Sequence, residues 1–147
     1  MRYSLFIVVM TSATCFSYSA CCRPLPPQPT APTKVDGWKD SDSGSGFRVR
    51  AVLMLKQGES SSSGNLGIKV TNIFEAEPCG DVGIEYHRRA TFQFFNSANG
   101  QVFCEDTVPD KANWRITCAD IIGVDDIGVR DISTAENWVL FELRKHD

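Results

Sequence analysis

The chain has 147 residues, 42% of them hydrophobic and 22% charged, and a formal net charge of -3. That length fits one domain with its own core and excludes an array of several domains. A mildly acidic chain has no electrostatic attraction to nucleic acid or to anionic lipid, so neither is expected as a partner.

The first 19 residues are predicted to be a cleaved secretory signal. Arg2, the apolar stretch YSLFIVVM and a run of small and polar residues occur in the order typical of such signals. A cut after Ser19 is favoured over one after Ala20, because small residues then lie one and three positions before it. No stretch has the roughly 20 consecutive apolar residues that span a bilayer. We therefore expect a secreted, extracellular protein without a membrane span; an ordinary N-terminal strand is the alternative.

Residues 20–46 are predicted to be a flexible arm. Five of the seven prolines lie between Pro24 and Pro32, which favours an extended segment. The following GWKDSDSGSG is rich in Gly, Ser and Asp, although Trp38 can dock on the domain. A β domain is expected to span residues 47–147, with order beginning at Phe47.

Five cysteines remain after the signal is removed, and in an oxidising compartment they are expected to form disulfides. Cys104 and Cys118 end two predicted strands joined by a polar turn and are predicted to pair; such a loop contributes about 3 kcal/mol in the chain-entropy model. Cys79 then pairs with Cys21 or Cys22, which leaves one thiol free or available for an intermolecular disulfide. A bacterial lipid anchor on Cys21 is the alternative. No cysteine pair has CxxC spacing, so no thiolate-bound metal is expected.

From Phe47 onward the residues alternate between apolar and polar, as in half-buried strands. FRVRAVLMLK is predicted to place Phe47, Val49, Ala51, Leu53 and Leu55 on one inward face. It is expected to form a hairpin with NLGIKVTNIF through the seven-residue polar loop GESSSSG.

About eight short strands are expected in all. GIEYH, RATFQFF, QVFCE, NWRITC, IGVRDI and WVLFELRK follow the first two, and Asn99-Gly100 supplies the positive φ of a tight hairpin. STAENW is at most one helical turn, capped by Ser133 or Thr134. The sequence therefore predicts a single all-β domain, an antiparallel sandwich or barrel stapled by a disulfide.

A short repeat, IGVDD at 122–126 and IGVRD at 127–131, has the odd period of five. An odd period turns equivalent side chains of a strand to opposite faces. We therefore expect a turn near Asp125 and Asp126.

The densest acidic cluster comprises Asp120, Asp125, Asp126 and Asp131. Carboxylate oxygens of this kind suit calcium, but their spacing matches no calcium loop. A solvated acidic rim is the favoured interpretation, and neither a metal nor another cofactor is expected.

Glu85, His87 and Arg89 alternate onto one face of a predicted strand. Such a group can move a proton and stabilise a phosphate, as in small secreted ribonucleases, with His146 as a second acid. Exposed charge that protects an edge strand is the favoured interpretation.

The three tryptophans, Trp38, Trp114 and Trp138, are candidates for a sugar-binding groove, because indole faces stack on sugar rings. Packing in or near the core is the commoner fate of tryptophan in a small domain.

Residues 47–145 resemble small cysteine-containing secreted proteins of filamentous fungi, and loosely the Alternaria major-allergen-like β-barrel family. The features that carry the resemblance are an FxVxA start, GIKVTN followed by Cys79, and the pair Cys104 and Cys118. The resemblance implies a β-barrel or sandwich that binds host proteins or small ligands without a catalytic centre. We therefore expect a secreted non-enzymatic interaction protein, effector- or allergen-like, and the alternatives are a secreted hydrolase such as a ribonuclease and a carbohydrate-binding module.

Overall fold

The fold is a two-sheet β-sandwich. The computed structural model describes residues 27–76 and 88–147. Within these ranges the elements are β1 (Gly37–Asp42), β2 (Phe47–Lys56), β3 (Ser60–Ser63), β4 (Leu66–Glu75), β5 (Arg88–Asn96), β6 (Val102–Pro109), β7 (Asn113–Arg115), α1 (Ala119–Ile122), β8 (Asp126–Ser133) and β9 (Trp138–His146). The predicted signal, the strand GIEYH, Cys21, Cys22 and Cys79 lie outside the described residues.

Two antiparallel sheets make up the sandwich. The first sheet has five strands in the order β1-β2-β9-β8-β7, and the second has four in the order β3-β4-β5-β6. Every paired neighbour runs antiparallel. The predicted all-β class is confirmed, as a sandwich with nine strands in the described part. No helix in that part of the chain is long and apolar enough to cross a membrane.

The core lies between the two sheets and takes every second side chain from the central strands. Leu53 and Leu55 of β2 are buried there with Phe92 of β5 and Phe141 of β9. The last two rings meet edge to face with centroids 4.9 Å apart. Burying one such side chain contributes about 1.5 to 3 kcal/mol, so the apolar alternation explains why these strands face inward.

The alternation predicted for β2 is wrong before Arg50. β2 advances by two residues from Val49 to Ala51 while β9 advances by one, so Arg50 is an extra residue in the ladder. Val49 pairs with Arg144, and the Arg144 guanidinium lies 5.0 Å from the centre of the Phe47 ring. Because a bulge shifts the alternation by one residue, Phe47 and Val49 lie on the outer face and only the later residues face the core.

The predicted hairpin between β2 and β4 is also wrong. Ser60–Ser63, expected in its loop, forms β3, which pairs with β4, whereas β2 pairs with β1 and β9. Gly58 and Gly64 flank β3 with φ of 87° and 58°, which glycine adopts without the steric cost of a side chain. The chain therefore crosses from one sheet to the other between β2 and β3.

Order begins before Phe47, in contrast to the prediction. β1 (Gly37–Asp42) pairs with β2, and the Trp38 indole Nε1 donates a hydrogen bond to Ser61 Oγ at 2.8 Å. Farther upstream, Gln28 Nε2 donates to Thr134 Oγ1 at 2.9 Å. Part of the predicted arm therefore packs on the domain. Its predicted start at residue 20 lies outside the described residues.

The expected turn at Asp125 and Asp126 is absent, because Asp126 already begins β8. The chain turns instead at Gly123, which ends the one-turn helix α1 in a left-handed conformation with φ of 69°. Glycine is favoured at this position of a helix end. The two copies of the repeat therefore differ in structure. The first copy begins at the last residue of α1 and continues through the turn at Gly123, whereas the second copy lies entirely in β8.

Two predicted turns are confirmed. β5 and β6 form a hairpin in which Gly100 has a φ of 75°. Between β8 and β9, the Ser133 hydroxyl accepts a hydrogen bond from the Glu136 amide at 3.1 Å, as expected of a capping serine.

A cross-sheet contact closes each open side of the sandwich. Cys104 of β6 forms the predicted disulfide with Cys118, which precedes α1, and their Cα atoms are 5.8 Å apart. On the same side the Thr117 amide donates to Asp106 Oδ2 at 2.9 Å. On the opposite side the bond from Trp38 to β3 joins the two outer strands. The candidate site described next lies beside that second contact.

Candidate functional site

Two irregularities in strand pairing coincide at Arg50. Arg50 is the extra residue of β2 in its pairing with β9, and its pairing with β1 is also irregular. Trp38 of β1 pairs with Ala51 of β2, and Ser41 of β1 pairs with Val49 of β2. Two residues of β1 therefore lie between these pairs, but only one residue of β2. Lys39 and Asp40 therefore share the single position opposite Arg50. Bulges bend strands and redirect side chains, and they are common beside functional sites.

These residues line a cleft of about 240 Å³, which we call the Trp38 cleft. Its walls come from both sheets and from the connection between α1 and β8. The lining residues are Trp38, Lys39, Asp40, Arg50, Ser63, Leu66, Ile122, Gly123 and Val124.

Part of the lining of the Trp38 cleft, which we call its floor, is apolar, although polar surface makes up the larger share of the lining. Val124 is buried in the core, and Trp38, Leu66 and Ile122 are half-buried and pack against it. The hydrogen bond from Trp38 to Ser61 fixes the indole and occupies its only donor. A ligand therefore meets the ring as an apolar surface.

The rim of the cleft is charged. Arg50 Nε lies 3.9 Å from Asp40 Oδ2, and the two side chains are 40% and 50% exposed. An ion pair this exposed is weak, so it leaves the guanidinium accessible to another partner. Lys39 is exposed and forms no ion pair with the described residues. Two cations and one carboxylate give the rim a charge of +1 within an acidic chain.

Small-molecule binding sites combine apolar surface with a few placed polar groups, and the Trp38 cleft contains both, with a larger polar share than is usual. The lining includes a hydroxyl, a carboxylate and two cations, but neither histidine nor cysteine.

Of the predicted hydrolase group, only Arg89 belongs to the described residues, because Glu85 and His87 lie outside them. Arg89 lies at the start of β5, opposite Phe74 and Pro109 of the flanking strands. Its Nε is buried and makes no hydrogen bond within the described part of the chain.

His146, the predicted second acid, is far from Arg89. Arg89 lies beside the end of β4 at Glu75, which accepts a hydrogen bond from Thr134 in the turn between β8 and β9. His146 ends β9, about 27 Å along that strand from the same turn. The structure does not bring these two side chains together.

Each of the four carboxylates of the predicted acidic cluster contacts a donor outside the cluster, and Asp125 and Asp126 both contact His146. The pairs are Asp120 with Arg115, Asp125 with the His146 amide, Asp126 with the His146 ring, and Asp131 with Lys111. In residues 27–76 and 88–147, no group of three or more His, Cys, Asp or Glu side chains is placed to hold a metal ion.

The three tryptophans do not form one groove. Trp138 is 2% exposed and its Nε1 donates to Glu136 at 2.8 Å. Trp38 and Trp114 lie on β1 and β7, the two outer strands of the five-stranded sheet. At about 4.8 Å per strand, these strands are roughly 19 Å apart. Only Trp38 contributes to the cleft.

A second group of residues is apolar and exposed. The large hydrophobic side chains exposed in the described part are Val102, Trp114 and Ile121. Each lies within four residues of Cys104 or Cys118 along the chain. We call these three residues the disulfide edge.

Sequence reasoning missed the Trp38 cleft. Regular alternation assigned Arg50 to a solvent-facing position, and an extra residue in a ladder leaves no trace in the pattern of one strand. The sequence does contain one indication of the cleft: Trp38 is a large aromatic residue isolated in a polar segment.

A comparison of the chain with protein-family models, curated proteins and solved structures gave no match. Its function is therefore inferred from the geometry of its own residues.

Proposed function

We propose that this chain is a secreted, non-enzymatic binding protein that takes a small ligand into the Trp38 cleft. The observation that carries the proposal is the meeting of two strand irregularities at Arg50, which places three charged side chains in one cleft with apolar side chains that include Trp38 and Leu66. Secretion is supported by the N-terminal pattern of the sequence and by the Cys104–Cys118 disulfide, which is typical of oxidising compartments.

The cleft is tested with a variant that fills it. Ser63 lines the cleft from β3, so Ser63→Trp introduces a large side chain there. Ser62→Trp is the matched control, because side chains alternate along a strand and Ser62 points to the other face. A library of small neutral, anionic and cationic compounds is screened by two-dimensional NMR against the mature secreted chain and both variants.

We expect compounds that bind the natural chain and the Ser62→Trp variant but not the Ser63→Trp variant. The proposal fails if no compound shifts the resonances of the cleft residues. It also fails if Ser63→Trp binds every compound as well as Ser62→Trp does.

The non-enzymatic part of the proposal has its own test. The mature chain is assayed for turnover of RNA and of polysaccharides, beside a His87→Ala variant. We expect no turnover by either. Activity in the natural chain that His87→Ala abolishes would establish the hydrolase alternative instead.

A second candidate function is contact with a host or cell-surface protein through the disulfide edge. It is favoured by the exposure of Val102, Trp114 and Ile121, each within four residues of a disulfide cysteine, because exposed apolar surface is typical of protein interfaces. An array of purified extracellular proteins is probed with the natural chain, with Val102→Lys and with the neighbouring control Gln101→Lys. Binding that Val102→Lys alone removes would support this candidate.

A further inference from the structure

We propose that the Trp38 cleft selects a small organic monoanion, a carboxylate attached to a planar or branched apolar body. This inference rests on the proposed function, since it names the class of ligand for the same cleft. It follows from the size of the cleft, from the charges at its rim and from the chemistry of its floor.

The size of the cleft sets the scale of the ligand. Its volume of about 240 Å³ lies below the roughly 300 to 1,000 Å³ of sites that enclose drug-sized molecules. A ligand with one ring or one branched chain and a single polar head fits this space better than an oligosaccharide or a peptide does.

The rim determines the sign of the charge. Lys39 and Arg50 outnumber Asp40 at a single opening, although the chain as a whole carries -3. The local excess of positive charge attracts an anion, while Asp40 disfavours a ligand with several negative charges. A monoanion is therefore preferred over a neutral analogue and over phosphate esters.

The guanidinium of Arg50 determines the type of anion. Its contact with Asp40 is made by Nε, and the terminal nitrogens make no hydrogen bond within the described residues. A planar guanidinium with two free donors matches the two oxygens of a carboxylate.

The floor accounts for the apolar body. The Trp38 indole is held by Ser61, and Leu66 and Ile122 extend the apolar surface beside it. A flat ring that stacks on indole gains contact area without needing a hydrogen bond from Nε1. The carboxylate at Arg50 and the ring at Trp38 then bind opposite ends of one small molecule.

The test compares three probes with the mature secreted chain by two-dimensional NMR titration. Phenylacetate carries both the carboxylate and the ring, phenylacetamide keeps the shape without the charge, and acetate keeps the charge without the ring. We expect phenylacetate to shift the amides of the cleft residues and to bind at least about fivefold more tightly than either of the others, a difference of one well-placed charged contact.

Substitutions identify the cation. Arg50→Gln removes the charge, and Arg48→Gln is the control, because Arg48 lies on the same strand and pairs with the exposed Asp147 outside the cleft. We expect Arg50→Gln to weaken phenylacetate binding about fivefold or more and Arg48→Gln to leave it within about twofold. Lys39→Gln is a second test, because Lys39 is exposed and its substitution does not depend on how Arg50→Gln affects the strand. We expect Lys39→Gln to bind phenylacetate more weakly than the natural chain does.

The outcomes separate this inference from the proposed function. Equal affinity for phenylacetate and phenylacetamide overturns the inference, as does equal loss in the two arginine variants. So does the absence of phenylacetate binding at about 20 mM, a concentration at which weak small ligands still bind. If neutral or cationic library compounds nevertheless bind the natural chain and are excluded by Ser63→Trp, the proposed function stands and only the ligand class is wrong.

Discussion

The Trp38 Nε1 donates a hydrogen bond to Ser61 Oγ at 2.8 Å and thereby joins the outer strand of one sheet to the outer strand of the other. The same indole forms part of the floor of the cleft. Stability and the proposed binding therefore both involve the Trp38 side chain, and substitutions of different severity separate the two roles.

Trp38→Phe is expected to lower the free energy of unfolding by about 1 kcal/mol, because it removes one hydrogen bond and keeps most of the aromatic contact. Trp38→Ala removes the ring as well and is expected to cost about 2 to 3 kcal/mol, less than a fully buried tryptophan because this one is half-buried. Urea unfolding measures both. Trp114→Ala, at an exposed site of the other outer strand, is the control and is expected to change stability little. Equal costs at Trp38 and Trp114 would contradict the structural role of the first.

The disulfide is expected to contribute about 3 kcal/mol to stability, the chain-entropy value for a loop near 15 residues. Cys104 and Cys118 are separated by 14 positions and join β6 of one sheet to the segment that follows β7 of the other. The double variant Cys104→Ser, Cys118→Ser should lose that amount in urea unfolding, while the secondary structure seen by circular dichroism is retained. A loss below about 1 kcal/mol would mean that the bond from Thr117 to Asp106 already closes this side of the sandwich.

The disulfide was predictable, and so were the buried central strands, because both follow from local patterns. Leu53, Leu55 and Phe92 occupy apolar positions of alternating segments, and alternation is the direct signature of a half-buried strand. Cys104 and Cys118 are close in sequence and flank a turn. Both features can be predicted from short stretches of sequence, without knowing which strands become neighbours in the sheets.

Strand partners, outer strands and bulges were not predictable in the same way. GWKDSD and SSSS form outer strands, which bury little and so carry no apolar alternation; polar outer strands also resist pairing with other chains. The bulge at Arg50 depends on the register with β1 and β9, which lie about ten and about ninety residues away along the chain. The candidate cleft is built from these non-local features, which explains why its charged residues were missed.

The stability of the protein is expected to depend on the protonation of Asp110. Burial raises the pKa of the Asp110 carboxyl above its ordinary value of 3.8, against the opposing effect of nearby Lys111. A carboxyl with a raised pKa in the folded state favours the protonated form there, so its charge destabilises the fold at neutral pH. That cost is relieved as the pH falls through the folded-state pKa, and it disappears once the unfolded chain is protonated too.

Asp110→Asn tests this directly, because the amide keeps an oxygen that can accept the hydrogen bond from the Lys111 amide. We expect the variant to be more stable than the natural chain at pH 7, and we expect the difference to shrink as the pH falls through the raised folded-state pKa of Asp110 and to vanish below about 4. Thermal unfolding between pH 3 and pH 7 measures it, with the exposed Asp120→Asn as the control. A stability difference that does not change with pH would show that Asp110 acts through packing or hydrogen bonding alone.

Removing the buried charge of Glu142 is expected to be strongly destabilising. It lies on β9, is 4% exposed, and is covered by ion pairs with Arg130 and Arg144. Glu142→Gln leaves two guanidinium groups without their carboxylate, and Arg144 is itself largely buried. Because removing one partner from a buried, hydrogen-bonded ion pair is strongly destabilising, we expect a loss of about 2 to 3 kcal/mol in urea unfolding.

The matched control for Glu142 is Asp147→Asn, which removes a carboxylate from an exposed pair with Arg48. Exposed ion pairs contribute about 0 to 1 kcal/mol, so this variant should unfold close to the natural chain. Raising the salt concentration should reduce any loss of unfolding free energy in Asp147→Asn. Most of the loss in Glu142→Gln should remain, because buried charges are screened less by mobile ions. Equal losses in the two variants, or a loss at Glu142 that salt abolishes, would place Glu142 among the exposed charges and contradict its burial between the two arginines.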